Sequence, residues 1–97
     1  MKKVTFSPAA AADLDTIWDY TIEKWGLAQA EQYTDNIENI CNELANGLRQ
    51  GRNVSIRADY LKYAVGRHFI YFREEKELIE IVRILHQRMD VERQFHA

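Results

Sequence analysis

The sequence predicts an α+β fold, in which an N-terminal strand and an antiparallel helical hairpin pack on a small antiparallel β-sheet. Two observations carry this prediction. Apolar residues in the first half of the chain recur at steps of three and four, which is typical of amphipathic helices. From Leu61 onward, short runs of β-favouring residues are separated by turn-forming segments, which is typical of a meander.

The segment KKVTF is a short candidate strand, and a helix is expected directly after it. Ser7 can cap that helix with its hydroxyl, and Pro8 is favoured at the first helical position. Gly26 is expected to end the helix. The apolar stripe comprises Leu14, Ile17, Trp18, Thr21 and Trp25. We expect both tryptophans to lie in the core of the hairpin.

A second helix is predicted after Gly26, and the short connection makes an antiparallel hairpin. Cys41 lies on its apolar face, so the single cysteine is expected to be an inert core residue. The residues of that face are Ala30, Tyr33, Ile37, Ile40, Cys41, Leu44 and Leu48.

The stretch NGLRQGRNVSIRADY has two glycines and no periodicity, so a long loop is expected before the meander. The predicted strands are LKYAV, RHFIYF and LIEIVRIL. If Arg73 and Leu78 flank a four-residue hairpin loop, His68 lies opposite Arg83, although a slip of one residue would change this register. Neither face of the last strand is polar. We expect its second face to be covered by the C-terminal segment VERQFHA, by a second copy or by a partner chain.

Length and composition are those of one globular domain spanning residues 1–97. With 97 residues, 46% hydrophobic and 29% charged, the chain has a modest core. No apolar run is long enough for a membrane span or a signal peptide, which predicts a cytoplasmic protein. His68, His86 and His96 lack a cysteine cluster or a recognisable carboxylate spacing, so no metal or other cofactor is expected.

Charge is divided unevenly along the chain. Residues 9–46 contain eight acids and one base, whereas residues 49–73 contain six bases and one acid. The basic stretch favours an acidic partner, with a solvated face carrying scattered arginines as the equal alternative.

The segment VRILHQRMD, Val82 to Asp90, has two interpretations. It could be a catalytic edge, with His86 as the base, Arg83 as the oxyanion stabiliser and Arg88 as the acid of a ribonuclease. The favoured interpretation has no catalytic residue: His86 fixes the turn after the strand, while Arg88 and Asp90 satisfy backbone groups or pair locally. Arg83 then faces a carboxylate or a partner, because an unpaired charge in an apolar strand is costly.

Five motifs in this order resemble the ParE toxins of bacterial toxin–antitoxin systems, within the RelE/ParE superfamily. They are ADLDTIWDYT, WGLAQAEQY, IRADY, GRHFIYFR and IVRILHQRMD. The resemblance implies a non-enzymatic toxin that stabilises cleaved complexes of DNA gyrase with DNA. It also implies a ParD-like antitoxin that wraps the toxin, so that operator DNA is contacted only indirectly. The sequence departs from the family at LRQGRNVS, where many relatives have a proline, and at Arg67, where serine is common.

Two other functions remain open beside the gyrase-directed toxin. One is a ribosome-dependent mRNA endonuclease of the RelE/YoeB branch, and the other is a non-toxic module that only binds its antitoxin. The residues expected to contact the antitoxin are Trp18, Tyr33, Tyr60, Arg83 and Leu85. Those expected to contact the target are Arg57, Arg67, Arg88 and Met89.

Overall fold

The computed structural model describes residues 2–95, so His96 lies outside the described residues. Two long helices, a third short helix and five strands follow one another along the chain. They are β1 (Lys3–Phe6), α1 (Pro8–Trp25), α2 (Leu27–Ala45), β2 (Arg52–Asn53), β3 (Leu61–Val65), β4 (His68–Glu74), β5 (Leu78–His86) and α3 (Val91–Phe95).

The two long helices form the predicted hairpin. Ser7 accepts a hydrogen bond from the Ala10 amide at 3.0 Å, and Pro8 occupies the first turn of α1. Gly26 alone joins α1 to α2, and its φ of 92° is a conformation that glycine adopts without steric strain. The predicted cap and helix stop are both confirmed.

The sheet is mixed, with strand order β1-β5-β4-β3-β2. The three-stranded antiparallel meander is confirmed, and two strands extend it. β1 adds in parallel to β5, and the two-residue β2 pairs with β3 inside the stretch that we expected to be loop throughout. The predicted α+β class is therefore confirmed, and the sheet is larger than the predicted meander.

The register of β4 against β5 differs from the conditional prediction. β4 continues to Glu74, which pairs with Ile79, and a bulge shifts the register near Tyr71. His68 consequently lies opposite His86, while Arg83 lies opposite Tyr71. The predicted pairing of His68 with Arg83 is wrong because the hairpin turn lies one residue later in the chain, so that Glu74 pairs with Ile79, and because the bulge adds a further residue to β5.

The main core lies between the helical hairpin and one face of the sheet. Ile37, Ile79 and Phe72 are fully buried there. Cys41 is 1% exposed, as predicted, and burial together with the nearby Glu38 carboxylate raises the pKa of its thiol to about 12. This cysteine is an apolar packing residue at neutral pH.

A second, smaller core covers the opposite face of the sheet. Tyr71 and Leu85 are buried there, and Phe95 of α3 packs edge-on against Tyr71 and Tyr60 at ring separations of 5.4 and 5.3 Å. Of the three covers expected for this face, the C-terminal segment is therefore the one that lies on it, together with the loop before β3.

Two predicted core positions lie on the surface. Trp25 is 71% exposed and Leu48 is 72% exposed. Trp25 is the last residue of α1, where the chain turns away at Gly26, and Leu48 lies beyond the end of α2. Helical periodicity places both residues on the apolar face of their helix. Each lies at or beyond the end of that helix, where the side chains no longer pack on the sheet.

Within residues 2–95, no helix is both long enough and apolar enough to cross a membrane.

Candidate functional site

A cleft of about 350 Å³ opens at the end of the molecule where the helical hairpin turns. The α1–α2 junction forms one wall, and the β3–β4 turn with the adjacent ends of β4 and β5 forms the other. We call it the hairpin-end cleft. Its lining residues are Tyr20, Thr21, Trp25, Gln29, Tyr33, Gly66, Arg67, His68 and His86.

The hydroxyl of Tyr33 organises the base of this cleft. It lies 3.2 Å from the carbonyl oxygen of Val65, 2.7 Å from Nδ1 of His68, and accepts a hydrogen bond from the amide of Arg67 at 3.2 Å. Burial raises the pKa of the Tyr33 phenol, so the hydroxyl is protonated at neutral pH. One side chain of α2 thereby fixes the whole β3–β4 turn.

The turn itself requires glycine at position 66. Gly66 has a φ of 54°, and a Cβ atom there would lie 2.5 Å from the hydroxyl oxygen of Tyr33. A side chain would therefore be strained by the backbone and would collide with the tyrosine that holds the turn.

Two histidines meet beside Tyr33. The rings of His68 and His86 pack edge-on with centroids 5.3 Å apart. Burial lowers the pKa of His68 to about 4. The nearby His86 also lowers this pKa, whereas the charge of Asp13 raises it. His68 is therefore neutral at pH 7 and serves as a hydrogen-bonding partner of Tyr33.

His86 also holds the turn that follows β5. Its Nδ1 accepts a hydrogen bond from the Arg88 amide at 3.1 Å, and its carbonyl oxygen accepts one from the Met89 amide at 2.9 Å. The prediction that His86 fixes this turn is confirmed. Asp90 likewise accepts from the Arg93 amide at 3.4 Å and caps α3, which confirms its predicted backbone role.

Arg83 faces a carboxylate, which is one of its two predicted environments. Its Nε and Nη2 donate to Asp13 of α1 at 2.8 and 2.9 Å, and its Nη1 lies 3.5 Å from Gln94 of α3. The side chains of Arg83 and Asp13 are only 21% and 15% exposed. Arg83 is thus bound internally, and its expected antitoxin contact stays a prediction.

The other expected antitoxin contacts lie on separate surfaces. Trp18 is half-buried in a groove on the hairpin, beside Leu14 and Phe6, whereas Tyr33 lies in the hairpin-end cleft. Tyr60 and Leu85 belong to the second core, where Leu85 is 1% exposed beneath α3. Leu85 can reach a partner only if α3 moves away from the sheet.

Three of the four expected target contacts lie near the cleft. Arg67 lines it, and the exposed Arg88 and Met89 lie in the turn that His86 holds. Arg57 lies in the loop before β3, where its guanidinium stacks on the Tyr60 ring at 4.7 Å and is 3.6 Å from Asp59.

Among the aromatic and histidine side chains that line the cleft, sequence reasoning gave no functional role to Tyr20, Trp25 or His68. The position of Trp25 immediately before Gly26 was the available signal, because a side chain in the last helical turn projects beyond the packed face. Nothing local in the sequence indicates that His68 meets Tyr33, since 35 residues separate them. Within residues 2–95, no three His, Cys, Asp or Glu side chains lie close enough to hold a metal ion.

The family model described as ParE toxin of type II toxin-antitoxin system, parDE, matches residues 4–91. The chain belongs to this family. A ParE1 toxin of Mycobacterium tuberculosis is 45% identical over 89 residues, covering 90% of this chain and 91% of the relative. A ParE1 toxin of Caulobacter vibrioides is 35% identical over 91 residues, covering 93% and 94%.

Two solved structures share the fold seen here. A chain of the chromosomal ParDE system of P. aeruginosa matches with a TM-score of 0.76 at 23% identity, covering 89% of this chain and 96% of that one. The YoeB dimer from Staphylococcus aureus matches with a TM-score of 0.60 at 14% identity, covering 88% and 95%. The resemblance to ParE toxins drawn from the sequence is confirmed.

Proposed function

We propose that this ParE-family toxin inhibits DNA gyrase by stabilising cleaved gyrase–DNA complexes, and that a ParD-like antitoxin neutralises it in the cytoplasm. The observation that carries the proposal is the family match over residues 4–91, together with relatives named as ParE toxins at 45% and 35% identity. Operator DNA is contacted only through the antitoxin.

The environment of the VRILHQRMD segment supports action by binding without catalysis. A ribonuclease that used Arg83 for oxyanion stabilisation needs its guanidinium free to meet a phosphate. Here two of its nitrogens are bound to the Asp13 carboxylate. The Nδ1 of His86 already accepts a hydrogen bond from the Arg88 amide, so this nitrogen is not free to act as a base.

The antitoxin is expected to bind the hairpin groove around Trp18, which is lined by four carboxylates. Basic side chains on the antitoxin would complement this groove and give specificity. Arg67 and Arg88 are expected to contact the target. The groove carboxylates are those of Asp15, Glu31, Asp35 and Glu38.

A gyrase assay tests the proposal directly. Purified toxin is incubated with gyrase, relaxed plasmid and ATP, and the products are scored for lost supercoiling and for linear or nicked DNA. Reactions without gyrase and reactions with the cognate ParD-like antitoxin are the controls, and both should leave the plasmid uncut.

A parallel cell-free translation reaction separates the alternatives. Codon-linked cleavage of the transcript with intact plasmid would reject the gyrase proposal in favour of an mRNA endonuclease. Neither DNA nor RNA cleavage would indicate a module that only binds its antitoxin.

A further inference from the structure

We propose that the hairpin-end cleft is where this toxin contacts its protein target, and that it receives an acidic segment of that protein. In this arrangement a flat or apolar side chain packs on Trp25 and Tyr20, and a carboxylate meets Arg67. The inference rests on the proposed function only in requiring that a protein target exists; it does not require that target to be gyrase.

Large apolar side chains that the fold does not use are exposed at and beside the cleft. Trp25 is 71% exposed and Tyr20 is 59% exposed, while Leu27 at the start of α2 is 57% exposed. The main core is complete without them. Trp, Tyr and Arg are the residue types that dominate binding energy at protein interfaces, and here all three line one cleft.

Hydrogen bonds within the protein already order one wall of the cleft. Tyr33 holds the β3–β4 turn through Val65, His68 and the Arg67 amide. The carbonyl oxygen of Arg67 accepts a hydrogen bond from the Gln87 amide at 2.9 Å, which ties the turn to the end of β5. A preformed wall loses little conformational entropy when a partner binds.

The charged side chains at the cleft are positive. Arg67 is exposed and is the one arginine or lysine among the lining residues of the cleft, and no carboxylate lines it. The ammonium of Lys24 lies 6.0 Å from the Tyr20 ring and adds positive charge at the rim. The cleft therefore favours a carboxylate on the partner.

A nucleic acid fits the same cleft less well. Binding a phosphate backbone requires several cationic side chains along one path. The cleft offers one guanidinium, and the chain as a whole has a net charge of −2. A single carboxylate beside an apolar side chain matches this surface better than a run of phosphates.

The test uses the full-length chain with Trp25→Ala, Arg67→Glu and Arg67→Lys. Matched controls are Leu48→Ala, which removes an apolar side chain that is 72% exposed outside the cleft, and Lys76→Glu, which reverses a charge at the opposite end of the β4–β5 hairpin. Growth inhibition on induced expression, gyrase binding, antitoxin binding and thermal unfolding are measured for each variant.

The expected result is a loss of growth inhibition of at least about tenfold for Trp25→Ala and Arg67→Glu, as for truncated hot spots. A smaller loss is expected for Arg67→Lys, because lysine keeps the charge. The controls should match the wild type, and the melting temperatures of all variants should agree within a few degrees, since no altered side chain is buried.

Several outcomes would overturn the inference. These are full toxicity of the cleft variants, equal losses in the controls, loss of antitoxin binding alone, or a wild type that is not toxic and so has no target. Loss of direct binding to free DNA or RNA would instead make the cleft a nucleic-acid site. If the wild type is toxic without binding gyrase, the gyrase proposal fails, while growth inhibition still decides the role of the cleft.

Discussion

Asp13 and Arg83, 70 residues apart in sequence, form a two-point ion pair that joins α1 to the C-terminal half of β5. Oδ2 of Asp13 also accepts a hydrogen bond from the Ile84 amide at 2.9 Å. Since β1 pairs only with Leu78 to Ile81, this amide lies beyond the end of the neighbouring strand. Asp13 therefore completes the backbone hydrogen bonding of β5 while it neutralises Arg83.

Replacing Asp13 should destabilise the fold more than replacing an exposed acid. Asp13→Ala leaves the guanidinium of Arg83 and the Ile84 amide without their acceptor, and should lower the free energy of unfolding by about 2 to 3 kcal/mol. Asp59→Ala breaks an exposed pair with Arg57 and should cost about 0.5 kcal/mol or less. Urea denaturation measures both values, and equal effects would contradict the role given to Asp13.

Gly66 and Gly47 form a matched pair for testing the β3–β4 turn. Both have positive φ, but only at Gly66 would a Cβ meet Tyr33, whereas the space around Gly47 is open. Gly66→Ala should lower the free energy of unfolding by roughly 2 to 4 kcal/mol, against about 1 kcal/mol for Gly47→Ala. Thermal or urea unfolding tests the difference. Similar losses would show that Tyr33 does not constrain the turn.

His68 should make the fold less stable at mildly acidic pH. Its pKa is lowered to about 4 in the folded chain, mainly by burial, from an ordinary value of 6.5. Between these values the unfolded chain binds a proton that the folded chain does not, so stability rises with pH. Stability should thus fall as pH falls from about 6.5 towards 4, by on the order of 2 kcal/mol for this half-buried ring.

Urea denaturation of the wild type and of His68→Gln between pH 7.5 and 4.5 isolates this effect. The variant cannot titrate at position 68, so its stability should decline less over the same interval. Parallel declines in the two proteins would assign the pH dependence to other groups.

Cys41 should not react with thiol reagents in the folded protein. It is 1% exposed, and burial raises the pKa of its thiol to about 12, so neither access nor thiolate is available near neutral pH. Modification by a chromogenic disulfide reagent should require urea and follow the unfolding transition. Rapid reaction in buffer alone would show that α2 opens locally.

Local patterns in the sequence determined the elements and most of the core. Ser7 and Pro8 start α1, Gly26 ends it, and the spacing of Ile37, Ile40 and Leu44 predicts the buried face of α2. These features succeed because capping, chain reversal and amphipathic periodicity act over a few residues. The ordered set of motifs likewise identified the family.

Only the tertiary structure decided the register of the sheet and the composition of the cleft. A bulge near Tyr71 and a hairpin turn one residue later than predicted placed His68 opposite His86, and neither feature has a local sequence signal. The contacts of Tyr33 with His68 and of Asp13 with Arg83 join distant segments. Such contacts depend on how the hairpin lies on the sheet, because packing of whole elements fixes which side chains meet.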